Sequence, residues 1–474
     1  MATRAYDPAV TVPGRSTEPA TRRGSRLAGL TPSGRAIVPL AWSTYDFANT
    51  IFSFVVVSGA IGIWLVEPAQ FGERDGNILL SLAILLSVGL NAIVSPILGA
   101  ISDRAGRRLP YLLFFTALCI IPTAFIGSTG ALVGLILFIV ANFAYQAALI
   151  YYDATLKIVS RPATRGTLSG IGVAIGYLGT IFSGLLILAL EVLVDMPVSQ
   201  RFVLAAALYG IFAIPIFLVV REAPPPPGSR LRVTDLVGSF GQLRTTIEHA
   251  RAVPGLGRFL LGRFFYSDAV NTVIVVMSVV AHEAKGLSAT YTNLLLLSLT
   301  VVAVIASVLW GRMVDRSGPK RTLVAVLASW AIGLTLGAVS LSISGVIGLV
   351  LFAVAGAILG SGLGGVQVAD RVLMVRLAPP AQVGEFFGLY GLVGKGSQVI
   401  GQVLYGLIIG LFLVEGQNGA YQLAVMSLLG TMLIGLWLLR GVSDRWEGSG
   451  ELAEPGVVAP PERLAPATAP LEPR

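Results

Sequence analysis

The chain has 474 residues, of which 55% are apolar and only 12% charged, with a formal net charge of +8. Soluble domains carry about 25% charged residues, and a mean hydropathy of +0.81 leaves too little polar surface to cover a water-soluble protein of this size. A single cysteine, Cys119, and two histidines exclude a disulfide framework and a Cys/His metal centre. Composition therefore points to a polytopic membrane protein with no cofactor and no metal.

Residues 1–36 hold Arg and Pro without an apolar core, so they read as a disordered cytoplasmic tail and not as a cleaved signal peptide. A helix needs ~20 apolar residues to cross the hydrocarbon core. Runs of that kind are predicted at 37–66, 77–101, 110–128, 131–156, 167–190 and 200–220 in the first half. The second half has them at 255–281, 289–311, 322–343, 346–371, 384–413 and 419–439. Barrel strands would alternate in polarity and be about half as long. The expected architecture is an all-α membrane protein of twelve transmembrane helices. A six-helix bundle over 37–220 and another over 255–440 are joined by a cytoplasmic linker at 221–254. The linker opens on Pro224–Pro227. It continues with Val233, Leu236, Val237, Phe240, Leu243 and Ile247 at helical spacing, an amphipathic helix for the membrane surface or for the ends of the bundle. Residues 441–474, rich in Pro, Ala and Glu, read as a disordered tail.

Basic residues crowd one side of these spans: the N-terminal tail, the 102–109 loop, Lys157, Arg161, Arg165, Arg312, Arg316, Lys320 and Arg321. The other side shows little beyond Arg74, Arg201 and Lys285. By the positive-inside rule both termini are cytoplasmic, in agreement with an even number of spans. The positive charge then marks topology, not nucleic-acid binding. The expected partners are the lipid bilayer and a small-molecule substrate, with protons as a candidate coupling ion. The expected state is a monomer in a bacterial inner membrane.

The two halves repeat each other. Asp46-x-x-Asn49-Thr50 in the first span matches Asp268-x-x-Asn271-Thr272 in the seventh. The loop Gly99-x-x-x-Asp103-Arg104-x-Gly106-Arg107-Arg108 matches Gly311-x-x-x-Asp315-Arg316-x-Gly318-x-Lys320-Arg321, and Gly170 and Gly176 match Gly388 and Gly394. Three matches in the same order define a parallel repeat, which places a substrate site between the halves near the bilayer midplane. The paired Asp-Arg-x-Gly loops resemble the signature of the major facilitator superfamily. Tyr45–Asn49, Phe259–Asp268, Glu385–Tyr390 and Gly394-Lys395 resemble the branch of the fungal vacuolar amino-acid effluxer linked to autophagy.

Asp46 and Asp268 lie deep in apolar runs, where a carboxylate is costly and normally faces a cavity or a partner. Asn49, Thr50 and Ser53 share the helical face of Asp46; Asn271 and Thr272 share that of Asp268. Either stripe reads as a substrate or proton pathway, or as a structural contact between helices. Lys395 sits mid-span with Gln398 and Gln402 on its face, and needs a counter-ion, for which Asp46 and Asp268 are the candidates. Arg263 is expected to snorkel to the interface, and Asp153 to pair with Lys157 one turn on. Gln367, Asp370 and Arg371 form a stripe on the tenth span, and Asn142, Tyr145, Gln146 and Asp153 one on the fourth. The resemblance implies that the first, fourth, seventh and tenth helices line the cavity. It also implies that Asp103 caps the eleventh helix near Gly384 and Asp315 the fifth near Gly166, as a gate lock.

No nucleotide-binding loop ends in Gly-Lys-Ser/Thr, and no nucleophile–base constellation is present, so an enzyme is not expected. The leading function is secondary transport of a small polar metabolite by alternating access, with amino acids favoured by the resemblance. The alternatives are a sugar or drug transporter of the same fold and a membrane sensor or scaffold.

Overall fold

The computed structural model describes residues 28–224, 248, 250–251, 253–380, 382–412 and 418–442. The predicted linker helix and both tails beyond these limits lie outside the described residues. Twelve long helices form among the described residues. In chain order they are α1 (Ile37–Val66), α2 (Gly72–Ala105), α3 (Leu109–Phe125), α4 (Ala131–Val159), α5 (Arg165–Val194) and α6 (Val198–Val219). They continue as α7 (Leu256–Val279), α8 (Ala289–Ser317), α9 (Pro319–Leu341), α10 (Gly345–Leu377), α11 (Val383–Phe412) and α12 (Gly419–Leu439). Ten of the described helices are long and apolar enough to cross a membrane. The remaining two, α7 and α11, carry Arg263, Asp268 and Lys395 within their length. Several helices overrun the apolar runs; α2 extends past both ends of its run, because polar residues at the membrane surface continue the helix at no desolvation cost.

Local chemistry sets the boundaries. Gly106 takes the left-handed conformation that ends α2, at φ +64°. Pro319 opens α9, where its missing N–H costs no hydrogen bond. The outer faces of the helices present Leu85, Leu86, Ile93, Leu193 and Leu218, all well exposed, as lipid-facing helices should. Within α1, residues Phe52–Ala60 adopt the wider π-helical pattern, a feature frequent at functional sites.

Helices α1–α6 pack mainly among themselves, as do α7–α12. The two groups meet where α2 packs on α11 and α5 on α8, with α4 and α5 also reaching α10 and α11. In the first group an aromatic stack holds the core. Trp42 and Tyr45 both stack on Tyr152, with centroids 4.7 and 5.0 Å apart. Trp42 Nε1 donates to Thr155 Oγ1 at 3.0 Å, and Tyr45 and Thr116 hydroxyls lie 2.7 Å apart. These anchors fix the rotation of α1 and α4, and so the direction of the neighbouring Asp46 and Asp153.

A charged cavity between the two halves

A cavity of about 510 Å³ lies between the two groups, lined by α1, α4, α7, α10 and α11. Asp46, Asn49, Thr50, Gln146, Asn271, Gln367 and Lys395 all reach it. The first, fourth, seventh and tenth helices thus all reach the cavity, though not every residue of their expected stripes does. Thr50 is partly engaged in packing, its hydroxyl donating to the Gly176 carbonyl of α5 at 2.6 Å.

Three predicted pathway residues stand elsewhere. Asn142 is buried and donates through Nδ2 to Ser87 Oγ at 2.8 Å, joining α4 to α2. Asp268 and Thr272 are buried away from the cavity. The cavity face of α7 is instead Arg263, Ser267, Val270, Asn271 and Ile274. Gln398 and Gln402 lie outside the residues whose side chains are described.

Lys395 and Arg263 find partners other than those expected. Lys395 donates to the Asn91 side chain of α2, not to Asp46 or Asp268. Arg263 does not snorkel: it forms an ion pair with Asp370 and lies 3.3 Å over the Tyr390 ring. The Asp370 carboxylate also accepts from the Tyr390 hydroxyl at 2.8 Å and meets the Tyr266 hydroxyl at 3.5 Å. Asp153 lies 3.1 Å from Arg371 Nε, so it meets a cation on α10 of the other half. Asp46 Oδ2 is 3.8 Å from Arg371 Nη1. One guanidinium thus faces two carboxylates across the junction of the halves. Helical stripes showed which residues share a face. Partners on separate helices left no local signal beyond mid-span charge itself.

The two Asp-Arg-x-Gly loops carry the capping contacts implied by the family resemblance. Asp103 Oδ1 accepts from Gly384 N at 2.9 Å and Oδ2 from Glu385 N at 2.8 Å, at the start of α11. Asp315 Oδ1 accepts from Gly166 N at 2.7 Å and Oδ2 from Thr167 N at 2.8 Å, at the start of α5. Each carboxylate satisfies amide donors that a helix N-terminus leaves unpaired, where the helix dipole also favours negative charge. Arg108 holds Asp103 at 2.9 Å, while its backbone N–H donates to Glu222 just beyond the end of α6. Arg104, Arg107 and Arg316 are exposed, and Gly106 and Gly318 take positive φ in the turns.

Close backbone approach accompanies both caps. A Cβ on Gly99 would stand 1.9 Å from the Gly384 carbonyl oxygen, and one on Gly311 2.5 Å from that of Gly166. Beyond the cavity toward these loops, Leu156, Met374, Leu377, Val383 and Phe386 are fully buried, so the halves are sealed at this end. Gly99→Val should wedge the seal apart without altering any charge. Raised labelling of a cysteine placed at Met374 is the expected result, and unchanged labelling would show that the contact yields without opening.

A cavity between two six-helix groups, closed at one end by reciprocal carboxylate caps, belongs to a transporter of the major facilitator class. Residues 72–443 match the family described as vacuole effluxer Atg22 like, and the chain belongs to that family. It is 26% identical over 424 residues to the uncharacterized MFS-type transporter YxiO of Bacillus subtilis, covering 85% of this chain and 94% of that one. It is 27% identical over 331 residues to autophagy-related protein 22 of Neurospora crassa, covering 64% of this chain but only 43% of the fungal protein. Among solved structures, the human organic anion transporter MFSD10 (TETRAN) superposes with a TM-score of 0.66 at 16% identity, covering 85% of this chain and 98% of that one. The proton:xylose symporter XylE gives 0.64 at 14% identity, covering 87% and 97%. The protein is thus a multi-pass integral membrane transporter of this fold.

Proposed function

We propose that the protein is a secondary active transporter that moves a small polar metabolite by alternating access, with neutral amino acids as the leading cargo. The cavity carries this reading: both halves contribute to one polar, charge-balanced chamber of about 510 Å³, large enough for an amino acid. The family description as an effluxer supports transport itself. All twelve helices cross the bilayer and both termini lie on the cytoplasmic side, in line with the Lys and Arg distribution. The capped loops then face the cytoplasm, and this is the form closed on that side. Release there requires both caps to part. Asp46, a carboxylate at the cavity wall, is the proton-coupling candidate. In a bacterial cell the site of action is the inner membrane.

Purified protein in liposomes, offered labelled amino acids and sugars with and without a proton gradient, tests the reading. Flux of neutral amino acids that responds to the gradient and falls at least tenfold in Asp46→Asn is expected. Flux indifferent to both would remove proton coupling while leaving transport. No flux of any compound would favour a sensor that kept the fold.

A further inference from the structure

The hydrogen-bonding capacity of the cavity is divided between its walls. Three carboxylates (Asp46, Asp153, Asp370) and three cations (Arg263, Arg371, Lys395) line it. Two of the cations already have ion-pair partners, Arg263 in Asp370 and Arg371 Nε in Asp153, although Asp153 Oδ1 accepts no hydrogen bond among the described residues. The atoms left over differ in kind from one wall to the other. On α1, Asp46 Oδ2 and Asn49 Oδ1 are buried acceptors without a hydrogen-bond partner among the described residues. They lie three residues apart on one helical face, so they point to the same place. On the facing half, Arg371 Nη1 is a buried donor without a hydrogen-bond partner among the described residues; it stands 3.8 Å from Asp46 Oδ2, a charge contact too long for a hydrogen bond. Lys395 is the cation whose hydrogen bond runs to a neutral amide, Asn91. An unmatched buried polar atom is expensive, and most of all when charged.

We infer that the cavity takes a dipolar substrate crosswise, its cationic group on Asp46 and Asn49 of α1 and its anionic group on Lys395 and Arg371 of the opposite half. An ammonium is donor-only and a carboxylate acceptor-only, which suits the acceptor wall and the donor wall respectively. A cargo of zero net charge also keeps the chamber neutral, whereas a lone amine or acid would bring an uncompensated charge into a low-dielectric site. Each group touches a different half, so bound substrate ties the halves together across the cavity. The assignment rests on the transport reading for its purpose but is tested by binding alone.

The test uses the purified protein and follows stabilisation by six compounds: alanine with ethylamine and propionate, and phenylalanine with phenethylamine and 3-phenylpropionate. Each amino acid is expected to bind roughly 10- to 100-fold more tightly than its amine or its acid, the range for losing charge-assisted bonds at one end. Lys395→Gln should abolish the advantage of amino acid over amine, and Asp46→Asn that of amino acid over acid. Lys395→Arg and Asp46→Glu should keep part of each. Equal binding of all three compounds in a set by the wild-type protein would overturn the assignment, as would binding of sugars with none of amino acids. Amino-acid binding without flux in liposomes would leave the seats standing and remove the transport reading. Flux of a sugar with no amino-acid binding would do the reverse.

Discussion

Asp103→Asn is expected to open the sealed end of the protein. The carboxylate holds two amides at the start of α11, at 2.9 and 2.8 Å, and belongs to the other half of the molecule. Asparagine is nearly isosteric but has one acceptor oxygen, so one amide loses its partner and meets a donor instead. It also removes the negative charge that the helix N-terminus favours, and the charge that holds Arg108. Loss of a charge-assisted hydrogen bond costs about 1.5–3 kcal/mol, and this loss falls only on the closed form. The ratio of closed to open molecules should drop roughly 10- to 150-fold. Met374→Cys, at a buried position one turn beyond the cavity-lining Asp370 and Arg371, is the reporter. The native Cys119 is fully buried and contributes no background. Labelling of the introduced thiol should rise in the Asp103→Asn background and rise further when Asp315→Asn is added. Unchanged labelling would mean that the loops are ordinary turns whose charge serves topology alone.

Arg371→Leu should be the most destabilising change in the cavity. The side chain is 8% exposed and faces Asp153 and Asp46 at 14% and 10%. Leucine fills similar volume, so the loss is electrostatic: two carboxylates remain at the junction of the halves without their cation. Stranding a buried charge in this way costs ~3–5 kcal/mol. A lowered unfolding midpoint in detergent is the expected readout. Arg371→Leu combined with Asp153→Asn should recover much of the loss, because it removes the nearer stranded charge. If the double variant is no more stable than the single one, the 3.1 Å contact contributes nothing, and the role of Arg371 is packing against Trp42 and Tyr152, whose rings lie 5.9 and 5.7 Å from its guanidinium carbon.

The motifs Asp46-x-x-Asn49-Thr50 and Asp268-x-x-Asn271-Thr272 illustrate what local sequence can and cannot decide. They are the same pattern at equivalent places in the repeat, yet Asp46 lines the cavity and Asp268 does not. On α1 the cavity face is Asp46, Asn49, Thr50, Ser53 and Val57; on α7 it is Arg263, Ser267, Val270, Asn271 and Ile274. The second face is displaced by about one residue relative to the first, a rotation of ~100° about the helix axis. Periodicity defines which residues lie together on a helix. Rotation of that helix in the bundle is set by what packs behind it, here the Trp42–Tyr45–Tyr152 stack for α1. The second copy of the motif is preceded by Phe265, Tyr266 and Ser267 where the first has Ser43, Thr44 and Tyr45, so the residues that orient the helix were never repeated.

The capped loops were more legible because their chemistry is local on both sides. A carboxylate ends one helix, a glycine permits close approach, and an open helix N-terminus waits in the other half. The ion pairs within the cavity have no such signature. Arg263 with Asp370, Arg371 with Asp153 and Lys395 with Asn91 each join different helices. Their distance along the chain carries no information about their distance in space.

By itself the sequence determined that this protein lives in a bilayer, that its halves repeat, and that a few mid-span charges must find partners. Those properties follow from transfer free energies and helical periodicity, which are additive along the chain. Only the tertiary structure decided which charges meet and which stripe turns inward. Those outcomes depend on how helices rotate and pack against one another, and that is a property of the assembled bundle.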